Sequence, residues 1–359
     1  MTQLQSVERP KKATPWTATS ARLRTTMILA STLPLAISTL FFFASGWDFM
    51  VVLLGVFLPL QVIGAGYSGF VGFGRRGILD GLLVVLTVFM TIFVLVLLIS
   101  VLWSVVQAGF QALSPHFIYQ NNRYVAPTSD LSYGGAGHSI LGTLMIVGLT
   151  TVITVPLGVL TAVYITETQG KSRGFIRTLL QAMSGLPSVV SGLFIYAALI
   201  ASGFTAFAGY AGSLALVPLM LPTVARVAEE SLRLVPKELR NGALALGAPA
   251  YRAFFMVTLP AAKSGIITAV LLGIARVIGE TAPLLLTTFN ANETNLNIFS
   301  GGMSSLPTYL YQNVNLGYDY AVDRAWGAAL VIMLLVGVIF AAARITTAAP
   351  SAPKKRKKK

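Results

Sequence analysis

Two charged residues, Arg276 and Glu280, interrupt an apolar run that extends from residue 264 to residue 289. Their spacing of four residues places both on one face if the run is a single helix. A charge near the centre of a bilayer costs at least about 2.5 to 3.5 kcal/mol, whereas an ion pair within a helix stabilises by only about 0.2 to 0.5 kcal/mol in water. Stability alone does not account for two such charges, so a functional role is favoured.

A guanidinium group offers planar, multidentate hydrogen-bond donors that fit the oxygens of an oxyanion. A carboxylate one turn away can weaken that attraction and keep the binding transient. The chemistry predicted for Arg276 and Glu280 is therefore reversible binding of an anion that crosses a membrane. A buried structural ion pair is the alternative that the two residues leave open.

A second informative segment, residues 226–263, is too long for a simple turn and contains its own helix boundaries. Leu239, Ala243 and Leu246 are spaced so that they share one face of a short helix. Start and stop signals for two short helices are supplied, in order, by Pro236, Gly247, Pro249 and Pro260. The pattern predicts a helical hairpin with a glycine corner.

Small residues crowd this corner and leave the backbone open to close approach by another surface: Gly242, Ala243, Ala245, Gly247 and Ala248. Such a surface suits docking into a groove of a partner protein. An amphipathic hairpin that lies on the membrane face is an equally good interpretation of the pattern.

The elements that must position these residues are membrane-spanning helices. Of the 359 residues, 55% are hydrophobic and 11% are charged, where a soluble domain has about 25% charged residues. A helix needs roughly 20 apolar residues to cross the hydrocarbon core. The sequence predicts an all-α, polytopic membrane protein of about eight transmembrane helices, at residues 27–45, 49–70, 82–106, 139–165, 183–201, 209–225, 264–289 and 326–343.

The basic residues indicate the orientation of these spans. All 26 Lys and Arg residues except Arg123, Arg276 and Arg324 lie in the alternate segments that the positive-inside rule assigns to the cytoplasm. We therefore expect a multi-pass protein of a bacterial plasma (inner) membrane with both termini cytoplasmic. Cleavage of the first span as a signal peptide is a minor alternative that leaves the remaining topology unchanged.

Composition also excludes several functions. Cysteine is absent, which excludes disulfides and thiolate metal sites. The net charge of +14 is spread between apolar runs instead of forming one basic face, so nucleic acid is not an expected partner. No phosphate-binding loop of the form GxxxxGK[ST] occurs, and no cluster of acids, bases or metal ligands supports an enzyme acting on lipid. His116 and His138 are interpreted as surface imidazoles, and neither a metal nor a cofactor is expected.

Four segments are predicted along the chain: a disordered cytoplasmic lead (1–26), an added two-helix module (27–77), a six-span unit (78–345) and a basic cytoplasmic tail (346–359). The lysines of the tail are expected to attract anionic membrane lipid, at about 1 kcal/mol per charge. Outer loops at 107–138 and 290–325 are long enough to meet an extracytoplasmic partner, although simple solvated loops explain them equally well.

Part of the hairpin resembles the coupling motif of ABC importer permeases. The run Asn241-Gly242-Ala243, three residues, Gly247, nine residues, Val257-Thr258-Leu259-Pro260 has the spacing of that family's E-A-A, three, G, nine, I-x-L-P pattern. In the family this segment forms coupling helices that insert into a nucleotide-binding subunit. The resemblance implies contacts to such a partner from Asn241, Gly242, Ala243, Gly247, Leu259 and Pro260. Asn241 departs from the usual Glu, so an ionic contact there is not implied.

The run Arg276-Val-Ile-Gly279-Glu280-Thr281-Ala-Pro283-Leu is similar to the R-x-I-G-E-T-A-P-L pattern of phosphate importer permeases of the PstA and PstC type. The segment 183–194, with Pro187, resembles the S-G-x-P-S stretch of the same family, although Pro187 can also simply set the entry angle of its span. The resemblance covers roughly residues 78–345 and implies a six-helix permease core in which Arg276, Glu280 and Thr281 line the substrate pathway. Overall similarity favours the PstA type, with PstC as the close rival.

The resemblance further implies a set of partners. These are a homologous PstC-like permease, a dimer of PstB-like ATP-binding subunits that carry ATP hydrolysis, and an extracytoplasmic PstS-like phosphate-binding protein. The chain itself is then a transport subunit and not an enzyme. A permease for another solute, such as molybdate or an amino acid, is the alternative. The two N-terminal spans exceed the six that are usual in the family, and the resemblance gives them no role.

Overall fold

The computed structural model describes residues 21–168 and 170–347, and this part of the chain contains helices and turns but no β-strand. Short π-helical stretches lie within α2, α6 and α9. The basic tail and most of the predicted disordered lead lie outside the described residues. The helices are α1 (Ala21–Ser45), α2 (Phe49–Ala112), α3 (Pro115–Tyr119), α4 (Gly137–Glu167), α5 (Lys171–Ser184), α6 (Ser188–Ile200), α7 (Gly209–Arg233), α8 (Lys237–Ala245), α9 (Ala250–Ala261), α10 (Lys263–Val277), α11 (Ala282–Thr287), α12 (Leu306–Leu316) and α13 (Asp319–Thr347).

Within the described residues, α1, α2, α4, α7 and α13 are individually long and apolar enough to cross a membrane. The count of five rises to seven if α5 with α6 and α9 with α10 each form one span, with bends of 99° and 66°. The prediction of a polytopic all-α membrane protein is confirmed.

Helix α2 is 64 residues long and reverses its direction at Gly74. Gly74 has φ +63°, a conformation that favours glycine. A Cβ on Gly69 would lie 1.9 Å from the carbonyl oxygen of Gly77, and one on Gly81 would lie 2.4 Å from that of Ala65. Residues 49–73 and 75–112 are therefore two antiparallel arms in close contact. Counting them separately brings the possible spans to the eight predicted.

The chain forms two compact units, which divide between Leu102 and Trp103. In the first unit, Leu23 packs against Gly72, where a Cβ would lie 2.9 Å from the Leu23 Cδ1 atom. This contact explains why helix α1 already begins at Ala21, within the segment that the sequence predicted as disordered.

The core of the second unit lies between α4, α7 and α10. A Cβ on Gly158 would lie 2.8 Å from Val224 Cγ1, and one on Gly273 would lie 2.7 Å from Val224 Cγ2, so both neighbouring helices approach α7 closely. The Thr150 hydroxyl donates to the Ser213 carbonyl at 3.2 Å, and the Ser213 hydroxyl donates to the Ile146 carbonyl at 3.0 Å. Small residues and hydroxyl hydrogen bonds are the usual means of joining helices in lipid.

Hydrogen bonds join the two predicted outer loops of this unit to each other and to the start of α4. The Asn122 amide donates to the Asn292 carbonyl at 3.0 Å, and the Leu306 amide donates to the Thr143 hydroxyl at 2.8 Å. The hydroxyls of Ser139 and Ser304 are 2.7 Å apart. These segments therefore form one ordered cap over the ends of the helices instead of two independent loops.

Arg324 is the central cation of this cap and is only 1% exposed. Its Nη2 atom donates to the carbonyls of Ser129, Asp130 and Tyr133 at 2.9, 2.8 and 3.0 Å. From the sequence, Arg324 is only one of the three basic residues that lie outside the predicted cytoplasmic segments. The structure shows that it fastens residues 129–133 to the first turns of α13.

We expect the Arg324→Gln substitution to destabilise the folded chain by about 3 kcal/mol or more, because three backbone carbonyls lose hydrogen bonds from a buried, charged donor. The measurement is the shift in thermal unfolding temperature of the purified protein in mild detergent. Arg123→Gln is the matched control, since Arg123 pairs with Glu293 at 2.7 Å with both side chains more than half exposed. An exposed pair contributes about 0.2 to 1 kcal/mol, and equal shifts for the two variants would contradict the role assigned to Arg324.

His138 is buried, with 3% of its surface exposed, so its interpretation as a surface imidazole is wrong. A Cβ on Gly135 would lie 2.5 Å from the Phe117 carbonyl oxygen, and one on Gly137 would lie 2.6 Å from the Tyr119 carbonyl carbon. These two glycines therefore allow the backbone of residues 117–119 to cover the start of α4. The imidazole meets the Tyr309 ring edge to face at 5.5 Å. Burial raises the pKa of the Tyr309 phenol, whose oxygen accepts a hydrogen bond from Asn122. Among the described residues, no group of three His, Asp or Glu could hold a metal ion.

Candidate functional site

The helix that carries Arg276 is broken at the motif residues. Helix α10 ends at Val277 and α11 begins at Ala282, so residues 278–281 lie outside both helices. Pro283 has no amide hydrogen to donate to residue 279, and its ring clashes with that carbonyl in a continuous helix. The prediction of one helix from 264 to 289, with Arg276 and Glu280 on the same face, is therefore wrong.

The side chains of Arg276 and Glu280 do not form an ion pair with each other. Arg276 lies in the last turn of α10 with an exposed side chain, and Glu280 lies in the break with a partly exposed one. Among the ion pairs of the described residues, none contains either of them. Thr281 occupies the position before α11, where its side chain makes no capping hydrogen bond. All three residues predicted for the pathway thus cluster at one helix break.

A helix break of this kind has a physical requirement in a bilayer. Backbone N–H and C=O groups outside a helix are tolerated at membrane depth only if protein buries them or a water-filled cavity solvates them. Broken spanning helices are accordingly the usual sites where polar solutes bind in transporters. The break at 278–281 places a guanidinium and a carboxylate at such a position.

The second motif stretch packs directly on this break. A Cβ on Gly192 in α6 would lie 2.5 Å from the Cα of Pro283, so only glycine permits this approach of α6 to α11. The Ser191 hydroxyl donates to the Ala215 carbonyl at 2.6 Å and ties α6 to α7. Pro187 immediately precedes α6, at the 99° bend after α5, which fits the interpretation that it sets the entry angle.

The predicted hairpin between α7 and α10 is present. Helix α8 follows Pro236 and ends at Ala245, and Gly247 then turns the chain with φ +85°. The Ala248 amide donates to the Ala243 carbonyl at 3.1 Å and closes this corner. Pro260 lies within the last turn of α9, after a π-helical stretch at Phe254–Thr258 that accommodates the missing amide donor.

The corner of the hairpin is largely free of contacts with the described part of the chain. No residue of α8 is buried, and Leu246 is 91% exposed. A Cβ on Gly242 or on Gly247 would have no neighbour within 4 Å. Asn241 is likewise exposed and Ala243 is half-buried. Packing against the described part of the chain therefore does not explain the small residue at Gly242.

The last two predicted coupling residues occupy different surroundings. Leu259 packs into an apolar cluster with Leu232 and Phe254 beneath the hairpin, whereas Pro260 is exposed. Leu259 thus anchors the hairpin to the helix bundle and does not belong to its free surface.

An ion pair that the sequence did not reveal holds the hairpin to the bundle, and two further pairs lie next to it. Arg240 of α8 lies 2.5 Å from Glu167 at the end of α4. Glu229 of α7 accepts from Arg177 of α5 at 2.5 Å and from Arg233 at 2.7 Å. The four-residue spacing of Glu229 and Arg233 is a sequence signal for an ion pair within one helix. The pairs between different helices have no such signal, because they depend on how the helices pack.

A bundle of spanning helices with a charged helix break and a free, small-residue hairpin defines a membrane transport permease. Residues 154–348 match the family described as binding-protein-dependent transport system inner membrane component, and the chain belongs to this family. It is a multi-pass transport subunit.

Similar proteins include three bacterial permeases. Phosphate transport system permease protein PstA 1 of Mycobacterium tuberculosis strain H37Rv is 42% identical over 212 residues, which cover 58% of this chain and 68% of the relative. PstA of Mycobacterium leprae is 44% identical over 210 residues, covering 57% and 68%. PstA of Pasteurella multocida is 36% identical over 214 residues, covering 59% and 76%.

Solved structures with some similarity include other ABC transporters. A crystal structure of an amino acid ABC transporter with histidines matches with a TM-score of 0.47 and 19% identity, covering 58% of this chain and 91% of that one. The inward-facing MetNI methionine ABC transporter matches with a TM-score of 0.46 and 20% identity, covering 59% and 93%.

Proposed function

We propose that this chain is the PstA-type permease subunit of an ATP-driven importer of inorganic phosphate. Three relatives of 36 to 44% identity carry the name of phosphate transport permeases. A homologous PstC-like permease completes the pathway, and a PstS-like binding protein delivers phosphate to the ordered cap. Both termini lie in the cytoplasm of a bacterial cell.

The observation that carries this proposal is the uncompensated charge of Arg276. Several arginines of the described chain are neutralised or hydrogen-bonded: Arg177, Arg233 and Arg240 by carboxylates, and Arg324 by carbonyls. Arg276 has no such partner in the described chain, yet it lies in a membrane-spanning segment. An anionic solute is a partner that satisfies it transiently, because the guanidinium presents several donors to phosphate oxygens.

Glu280 allows this site to distinguish phosphate from other oxyanions. An ionised carboxylate only accepts hydrogen bonds. Phosphate at neutral pH retains a proton that it can donate to Glu280, whereas sulfate and molybdate carry none and are repelled. An unfavourable contact with the wrong solute is an effective source of specificity. Thr281 adds a hydroxyl that can donate to the same anion.

The hairpin couples this pathway to ATP hydrolysis in a separate dimer of PstB-like subunits. Gly242, Gly247 and the exposed Leu246 form a free surface of the kind that inserts into a groove. The ion pair between Arg240 and Glu167 links that surface to α4. A movement of the docked hairpin is thereby transmitted to the spanning helices.

Competition for uptake tests the proposed substrate. We expect cells that express the chain with its partner subunits to import labelled phosphate, and unlabelled phosphate or arsenate in tenfold excess to reduce this uptake about tenfold. Sulfate and molybdate in the same excess are expected to leave uptake unchanged. Equal competition by molybdate, or uptake of an amino acid instead, would contradict the assignment to phosphate.

A further inference from the structure

The N-terminal unit contains a groove between α1 and the first arm of α2. Helix α1 and the first arm of α2 approach each other closely at Gly64, where a Cβ would lie 2.8 Å from the carbonyl oxygen of Ala30. Beside this contact is a cavity of about 320 Å³. Its walls are apolar along most of its length and include Leu29, Leu33, Ile37, Leu60, Ile63 and Tyr67.

The length of the groove matches one leaflet of the bilayer. On α1 it extends from Thr26 to Ile37, which at 1.5 Å per residue is about 16 Å. The hydrocarbon core is about 30 Å thick, so the groove covers roughly half of it. A transmembrane helix of a partner would need a groove through the full thickness, whereas an acyl chain needs only half.

One end of the groove is polar and basic. Thr26 and Tyr67 line this end, and Leu23 packs on Gly72 one helical turn beyond it. The chain then turns at Gly74 and presents Arg75 and Arg76.

The side chains of Arg24, Arg75 and Arg76 are exposed, and none is in an ion pair with another described residue. Asp80, also exposed, is the acidic residue nearest to Arg75 and Arg76 in sequence. The net charge at this end of the groove is therefore positive, and the opposite end at Ile37 carries none of these basic residues.

We propose that this groove binds one acyl chain of an anionic phospholipid, taken from the leaflet that faces the Arg75–Arg76 turn, with the lipid phosphate bound by Arg75 and Arg76. Basic residues next to an apolar groove between spanning helices are suited to anionic headgroups. Tyr67, which lines this end of the groove, is of a residue type that is enriched at membrane–water interfaces. The two N-terminal spans then form a lipid-binding module, independently of the transported solute.

Native mass spectrometry of the full chain in detergent tests this proposal. The purified protein is titrated with dioleoylphosphatidylglycerol or with dioleoylphosphatidylcholine, which differ in headgroup charge but not in acyl chains. We expect one phosphatidylglycerol to bind at least about tenfold more tightly than phosphatidylcholine, because its headgroup has a net negative charge, whereas the choline cation of phosphatidylcholine offsets the charge of its phosphate. The double substitution Arg75→Gln/Arg76→Gln is expected to reduce this preference to less than about twofold.

Two further variants separate the groove from its charges. Arg75→Lys/Arg76→Lys keeps both charges and is expected to keep the preference. Ile63→Trp fills the groove and is expected to reduce the binding of both lipids, whereas Leu97→Trp, in the second arm of α2, changes neither. Equal affinity for the two lipids in the unmodified protein, or an unchanged preference in the glutamine variant, would overturn the proposal.

A disulfide cross-linking experiment distinguishes a lipid in the groove from a second copy of the protein. The chain has no cysteine, so Ile63→Cys introduces a unique thiol at the groove. We expect this variant to remain monomeric under oxidising conditions in lipid vesicles. A disulfide-linked dimer, formed with high yield and insensitive to added phosphatidylglycerol, would assign the groove to a second copy of this chain and refute the lipid site.

Discussion

Replacing Arg276 by Gln is expected to reduce phosphate uptake on the order of 100-fold or more. Hydrogen bonds from a charged donor contribute about 1.5 to 3 kcal/mol each, and a guanidinium can make two to one phosphate. Glutamine fills similar space but supplies neither the positive charge nor the pair of parallel N–H donors of the guanidinium. The measurement is the initial rate of labelled phosphate uptake into cells or proteoliposomes that contain the complete complex.

Two controls distinguish loss of anion binding from loss of assembly. Arg276 has an exposed side chain and no ion pair in the described chain, so its removal leaves no buried partner unsatisfied. The Arg276→Gln complex is therefore expected to copurify in normal yield and to unfold at the normal temperature. Arg276→Lys keeps the charge without the planar fork and is expected to retain intermediate uptake. Normal uptake by the glutamine variant would remove the anion role from Arg276.

The sequence predicted the helices and their approximate limits because lipid leaves few choices. A long apolar run must hydrogen-bond its own backbone, so composition and length suffice to identify a span such as Gly137–Glu167. The glycine corner at Gly247 was predictable for a similar reason, since its φ of +85° favours a residue without a side chain.

The break at residues 278–281 was missed although its signals were present. Gly279 weakens a helix and Pro283 opposes its continuation, but the apolar run on either side satisfied the criterion for a single span. The regular spacing of Arg276 and Glu280 also left open an ion pair, which the structure does not contain. In this segment the local breakers, and not the hydrophobic periodicity, determine the backbone.

The buried positions of Arg324 and His138 depend on contacts between distant parts of the chain. Arg324 binds carbonyls that lie more than 190 residues earlier in the sequence. His138 packs on Tyr309, which belongs to α12. Neither residue has a local pattern that separates a buried group from a solvated one. Sequence reasoning therefore described the outer cap as two loops, whereas long-range hydrogen bonds make it one structure.

Replacing Gly242 by Leu is expected to weaken the binding of the ATP-binding subunit while leaving the permease fold intact. No atom lies within 4 Å of a Cβ at Gly242, so a larger side chain fits in the isolated chain. Leucine is also favoured over glycine in a helix by roughly 0.8 kcal/mol, so the unfolding temperature should stay constant or rise. At a closely packed docking surface, by contrast, an added side chain costs about 1 to 3 kcal/mol.

The expected result is a loss of about tenfold or more in the amount of ATP-binding subunit that copurifies with the Gly242→Leu permease, with a parallel loss of uptake. Gly174→Leu is the matched control, because Gly174 is also an exposed helical glycine whose Cβ position has no neighbour within 4 Å. Gly174 lies in α5, outside the hairpin, and its variant should retain both the partner and the uptake. If Gly242→Leu copurifies the partner normally while stimulating no uptake, the hairpin transmits movement without providing the affinity. If both variants behave alike, the free surface at Gly242 is not the docking site.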